Sequence, residues 1–226
     1  ISREPRPLHS EIEYLLEHAG RYLSRCPGES DIRSRFAGLR PLVGTQIGTS
    51  PTSTLSREHA IYAAPSGLIT VIGGKWTTYR CMGEELINKA EAVGGLARRQ
   101  SITASLKLHG CPAKANTAVG QFENVYGNDA AEIELLIRET PELAKTLHPE
   151  LPYRAADVIW AARHEMARTI EDVLARRTRA LFLDARAALE SATFVGDLLQ
   201  RELQRSADWK AHQMQQFSEI AAGYCR

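Results

Sequence analysis

Several things are missing from this 226-residue sequence, and each absence closes off a class of function. There is no apolar run near the roughly 20 residues a membrane-spanning helix needs. The opening I-S-R-E-P-R-P has no apolar core and so is not a signal peptide. Charge of one sign is also lacking. Lys and Arg number 28 against 27 Asp and Glu, a formal net charge of +1, so nothing global points to nucleic acid or to an anionic membrane surface. The four cysteines, Cys26, Cys81, Cys111 and Cys225, show no C-x-x-C spacing. They read as reduced thiols of a cytosolic protein, with neither a metal site nor a disulfide frame. The first methionine is Met82, from which the expectation is that the chain starts inside a longer protein.

Glycine is unevenly spread, and that divides the chain. Fourteen of the 16 glycines lie at or before Gly127, and none occurs from Asn128 to Val195. The first part reads as mixed α and β, the second as all helical. The expected division is a remnant of a ligand-binding domain over residues 1–96, a linker over 97–112 and an all-helical domain over 113–226.

What is present centres on Ser66 to Arg80, S-G-L-I-T-V-I-G-G-K-W-T-T-Y-R. Leu68 to Ile72 reads as a mostly buried strand. Gly73 and Gly74 break it. Tyr79, Met82, Leu86, Ile87 and Ala90 then follow at helical spacing, with Lys75, Thr77 and Thr78 at the mouth of that helix. The first N–H groups of a helix lack internal partners and carry partial positive charge. Two glycines let a ligand approach the backbone, and a lysine adds a full charge. Such a corner suits a phosphate, a carboxylate, or a ring carbonyl that becomes anionic. The bland alternative is a tight turn with Lys75 solvated.

Upstream, Ser10-x-x-Glu13 is a capping-box signature for a helix with Ile12, Leu15, Leu16, Ala19, Tyr22 and Leu23 on one face, stopped by Pro27-Gly28. Phe36 to Val43 reads as a strand or a strand leading into a loop. Ser56 to Tyr62 is a further strand, joined through Pro65-Ser66-Gly67 to the one at Leu68 as an antiparallel hairpin. Arg40 and Arg57 each border a loop. Two arginines and a lysine can hold a phosphate, although arginines are more often surface residues paired with acids. Downstream, Ile102 to His109 alternates like a short strand. Helices follow, with caps at Asp129, Thr140-Pro141, Thr169-x-x-Asp172, Asp184 and Ser206. The cluster Arg176, Arg177 and Arg179 reads as a solvated, salt-bridged face shared with Glu165, Glu171 and Asp172.

Three blocks in order, F-A-G-L-R-P-L-V, L-S-R-E-H and S-G-L-I-T-V-I-G-G-K-W-T-T-Y-R-C-M-G-E-E, resemble the FAD-dependent glycerol-3-phosphate dehydrogenases. The stretch His164 to Arg179 resembles the helical C-terminal domain of the same family. The fold implied is an α+β fragment of a D-amino-acid-oxidase-type flavoprotein followed by an all-α C-terminal domain. The activity implied is oxidation of sn-glycerol 3-phosphate to dihydroxyacetone phosphate, with hydride passing from substrate C2 to flavin N5 and electrons on to quinone.

By that resemblance Gly73, Gly74, Lys75, Trp76, Thr77 and Thr78 contact the FAD ring, and Arg40, Arg57 and Lys75 bind the phosphorylated substrate. It also implies a cytoplasmic enzyme peripheral on the inner face of the cytoplasmic membrane. No G-x-G-x-x-G occurs in the sequence, so this chain alone is expected neither to hold FAD tightly nor to turn over substrate. No general base is assigned, because His59 alternates with Arg57 along a strand and is read as structural. Two other functions stand beside this one. One is a different flavin oxidase of the same fold. The other is a non-catalytic helical interaction module, residues 110–226, serving homodimerisation or docking.

Overall fold

A computed structural model describes Ser2 and residues 4–39, 58–111 and 123–225. Two compact units divide it, residues 1–38 with 112–226, and residues 39–111. These units cut across chain order: the first 38 residues sit with the helices rather than with the hairpin that follows them.

The helical unit holds every buried apolar residue of the described chain. Its elements are α1 (His9–Gly20), α3 (Glu123–Tyr126), α4 (Ala130–Glu139), α5 (Ala155–His164), α6 (Ala180–Leu183), α7 (Ala185–Glu202) and α8 (Ala207–Ala221). From Ala155 through Ala162 the side chains of α5 are buried all round, as befits a central helix. Its alanines and those of α7 (Ala187, Ala188, Ala192) keep side chains short, so the helices approach closely around Val158, Val195, Leu199 and Phe217. At Gly196 an added methyl would come within 3.2 Å of Ile170 Cδ1, which explains the glycine in mid-helix.

Local chemistry sets the helix ends. Asp184 Oδ1 accepts from Ala187 N at 3.0 Å, and Ser206 Oγ accepts from Trp209 N at 3.2 Å, the two caps expected from sequence. Thr169 and Asp172 bond reciprocally, each side chain accepting from the other's N–H at 3.0 Å. A π-helical turn over Asp172–Arg177 follows. There Arg176 pairs with Glu171 at 2.7 Å and Asp172 at 3.4 Å, while Arg177 Nε donates to the Glu165 carbonyl at 2.8 Å. Of the three arginines Arg176 is thus salt-bridged as read, whereas Arg177 bonds a backbone carbonyl and Arg179 lies 5.7 Å from the centre of the Phe182 ring.

Other expectations are corrected. Helix α1 starts at His9, with Leu8 N donating to Glu11 Oε2 at 2.8 Å, so Ser10 is not its cap. Of its apolar face only Ile12 is buried, and Leu15 and Tyr22 are 65% and 88% exposed. Asp129 makes no side-chain cap, because its backbone is already helical at the end of a 3-10 turn. Phe36 to Leu39 form no strand. Instead residues 33–36 make a strap across the helices. Arg33 O accepts from Ala185 N at 3.0 Å, Ser34 Oγ donates to Leu181 O at 2.7 Å, and Arg35 N donates to Tyr224 O at 3.0 Å. Phe36 packs edge-on against Phe182 at 4.8 Å. Contacts this remote in sequence leave no local pattern.

The other unit comprises β1 (His59–Ala63), β2 (Ile69–Gly73) and α2 (Tyr79–Gly94). The strands form the expected antiparallel hairpin, with Ile61 opposite Val71 and His59 opposite Gly73. No described residue of this unit is buried, and β2, read as mostly buried, leaves Val71 and Ile72 39% and 37% exposed. Residues 102–109 form no strand and turn at 103–105 and at 109. Ser105 N bonds Ile102 O, and Ser101 Oγ accepts from Thr103 N, local bonds that compete with a ladder. Among the described residues no helix is long and apolar enough to cross a membrane.

One buried acid makes the stability of the helical unit depend on pH. Asp157 is fully buried on α5. Its Oδ2 accepts from Arg154 N at 2.7 Å, and its Oδ1 has no hydrogen-bond partner among the described residues. Burial pushes its carboxyl up to about 6, with Glu134 and Glu165 adding in the same direction and Arg154 opposing. A folded value above the unfolded one means stability is fully present below about pH 4 and is lost as pH rises to about 6, by about 3 kcal/mol at most. Asp172, held low by its bonds to Arg168, Thr169 and Arg176, works the other way, losing stability as pH falls. Comparison with Asp157→Asn isolates the first effect. Denaturant unfolding is expected to show no advantage for the variant at pH 4 and an advantage of about 2–3 kcal/mol at pH 7. A gap independent of pH would contradict the assignment.

Candidate functional site at the double-glycine corner

The corner is formed by residues that only glycine suits. Gly73 and Gly74 have φ of 79° and 93°, the left-handed side of backbone space, and together they turn the chain out of β2. A methyl on Gly74 would lie 2.5 Å from Met82 Sδ and 3.2 Å from His59 Cβ. The first turns of α2 and the start of β1 therefore close in on the inner side of the corner. His59 Nε2 lies 2.8 Å from Glu85 Oε2, a contact that ties β1 to α2.

Beyond the glycines, Lys75 is extended, Trp76–Thr78 form one 3-10 turn, and α2 begins at Tyr79. The expected helix mouth is present, tightened by that turn. Thr78 N and Oγ1 both donate to the Lys75 carbonyl, at 3.0 and 3.1 Å. Among the described residues the backbone N–H groups of Lys75, Trp76 and Thr77 donate to no other backbone group. They are the orphan donors of a helix start, at its positive end. Lys75 and Thr77 are exposed and make no ion pair among the described residues. Trp76 is 86% exposed and stacks on Tyr79 with centroids 5.4 Å apart. Outward the corner presents free donors, an ammonium and an indole, an array that can hold the anionic edge of a flat ring.

Of the residues expected at the site, the structure brings together Gly73, Gly74, Lys75, Trp76, Thr77 and Thr78. Arg40 and Arg57 lie outside the described residues. Sequence reading missed an apolar cavity of about 760 Å³ on the same unit, lined by Tyr79, Gly83, Ile87, Ile102, Leu106 and Leu108. The small residue at 83 was its one sequence signal, since it leaves the middle of α2 open. Among the described residues no cluster of His, Cys, Asp and Glu suits a metal ion.

The chain superposes with a TM-score of 0.75 on the X-ray structure of the glycerol-3-phosphate dehydrogenase from Bacillus halodurans complexed with FAD, over 98% of this chain and 46% of that one. At 21% identity that likeness shows the fold. Residues 71–210 match the family described as the C-terminal domain of alpha-glycerophosphate oxidase, and the chain belongs to that family.

Among proteins of similar sequence is the probable mitochondrial glycerol-3-phosphate dehydrogenase of Caenorhabditis elegans, 35% identical over 90% of this chain and 31% of that protein. The rat mitochondrial glycerol-3-phosphate dehydrogenase is 31% identical over 99% of this chain and 33% of its own length. Glycerol-3-phosphate dehydrogenase 1 of Mycobacterium tuberculosis is 34% identical over 77% and 36%. The chain thus spans about a third of the length of these relatives.

Gly74→Ala tests the corner. The methyl meets a positive φ and the Met82 side chain together, and such strain costs about 1–3 kcal/mol. The expected outcome is faster hydrogen exchange across β1, β2 and the start of α2, with α5, α7 and α8 unchanged. Unaltered exchange at the hairpin would show that the corner does not depend on glycine.

Proposed function

We propose that this chain is part of an FAD-dependent oxidoreductase that oxidises sn-glycerol 3-phosphate to dihydroxyacetone phosphate and passes the electrons to quinone. The observation that carries this is the corner at Gly73–Gly74, with its free N–H groups and Lys75, in a chain whose relatives are named glycerol-3-phosphate dehydrogenases. FAD, when bound, supplies the acceptor for the hydride that leaves the substrate carbon. The residues suit that group: Gly73 and Gly74 would admit it to the backbone, and the N–H groups of Lys75, Trp76 and Thr77 would supply donors to negative charge developing on it. Lys75 adds a cation there and toward the substrate. Arg40 and Arg57 bind the phosphate, each charge-assisted contact worth about 1.5–3 kcal/mol. The proton of the substrate hydroxyl goes to a base that no residue here is assigned.

In this reading the unit of residues 39–111 serves flavin and substrate, while residues 1–38 with 112–226 form the structural helical unit, so the divisions expected at residues 96 and 112 give way to one at 38 and one at 111. The enzyme sits peripherally on a membrane, where quinone is available. The chain by itself binds FAD weakly and does not turn over, since no dinucleotide fingerprint is among its residues.

The test uses the enzyme at the full length of its relatives. It is expected to oxidise glycerol 3-phosphate and to leave glycerol and amino acids untouched. Arg40→Ala is expected to raise KM for glycerol 3-phosphate roughly ten- to hundredfold with flavin still bound. Equal turnover of an amino acid, or an unchanged KM, would favour another flavin oxidase of the same fold.

A further inference from the structure

Donors serve an anionic ring best when they keep one orientation, because preorganised dipoles stabilise developing charge and loosely held ones lose much of that advantage. At this corner the orientation depends on how the start of α2 is held against the hairpin. Strand β1 begins at His59, directly opposite Gly73 in the antiparallel ladder. The His59 Cβ lies 3.2 Å from where a methyl on Gly74 would stand, so the side chain leaves the ladder beside the second glycine. Its ring reaches α2, where Nε2 lies 2.8 Å from Glu85 Oε2. The His59 side chain is 18% exposed, so water competes poorly for its end of that bond. Met82, three residues before Glu85 and on the same face of the helix, sets its thioether against Gly74. One histidine thus touches the end of the ladder, the turn and the helix.

We propose, on the reading that FAD binds at this corner, that Glu85 is a positioning residue for it. Through His59 it holds the start of α2 at the angle that presents Lys75 and the N–H groups of Lys75, Trp76 and Thr77 to the ring. Glu85 acts through the imidazole and not on the flavin. A bond to a carboxylate suits this task, since it is directional and spans the gap between a strand and a helix that share no ladder. Met82 fills the space beside it, so the angle is set by one polar and one apolar contact on the same helical face.

In the enzyme at the full length of its relatives, FAD is titrated into the apoenzyme and its midpoint potential is measured. Glu85→Gln loses the charge but keeps an oxygen that accepts from His59 Nε2, whereas Glu85→Ala loses both. Relative to Glu85→Gln, Glu85→Ala is expected to bind FAD about fivefold more weakly. The reduced form is expected to be weakened about threefold more than the oxidised, a potential about 15 mV lower. Adding His59→Ala to Glu85→Ala is expected to lower it no further. Two variants alike in affinity and potential would overturn the proposal, because Glu85 would then act by its charge or not at all. Without flavin, hydrogen exchange at the start of α2 is expected to quicken in Glu85→Ala and not in Glu85→Gln, and equal exchange would overturn it as well. Lys75→Met separates the two levels. No shift in potential there defeats the flavin reading itself, whereas a shift there and none between the Glu85 variants defeats the positioning role alone.

Discussion

Two consecutive residues at φ near 79° and 93° decide how everything on the smaller unit is presented. They reverse the chain out of β2 within one step and leave Lys75 extended. The N–H groups of Lys75, Trp76 and Thr77 then donate to no other backbone group among the described residues. A methyl at Gly74 would meet Met82 Sδ at 2.5 Å and His59 Cβ at 3.2 Å, so the inner side closes as it does only around a glycine. The electrostatics of the corner follow from this backbone constraint. Orphan N–H groups and a lysine at the positive end of α2 together favour a ligand whose charge turns negative.

The two units are stabilised in opposite ways. The helical unit buries its apolar residues around α5 and α7 through close alanine packing and is strapped by residues 33–36. The hairpin unit buries none and displays Trp76, Tyr79, Ile87 and the lining of an apolar cavity. Apolar burial is the main favourable term in folding, so the hairpin unit has little of its own to offset chain entropy. Surface of this kind gains stability by being covered, and the same exposure leaves the ligand corner accessible.

Legibility in the sequence followed the range of the interactions. The glycine corner, the hairpin and the caps at Asp184, Ser206 and Thr169–Asp172 are made by residues within a few positions of one another, and their spacing announced them. The strap at 33–36 rests on partners about 150 to 190 residues away, so Phe36 read as a strand when its ring is held by Phe182 and Tyr224. Alternation at 102–108 suggested a strand, but Ser101, Thr103 and Ser105 satisfied the backbone locally first. Family resemblance, not periodicity, supplied the flavin and the substrate. Arg40 and Arg57 therefore rest on motif alone, whereas Lys75 and its neighbours rest on geometry as well.

The most direct measurement is the midpoint potential of FAD bound to the relative-length enzyme, unaltered and as Lys75→Met. If the ammonium and the free N–H groups stabilise negative charge on the reduced ring, removing the cation lowers the potential by roughly 30–60 mV, equivalent to about 1.4–2.8 kcal/mol for two electrons. An unchanged or raised potential with FAD fully bound would contradict the role assigned to the corner.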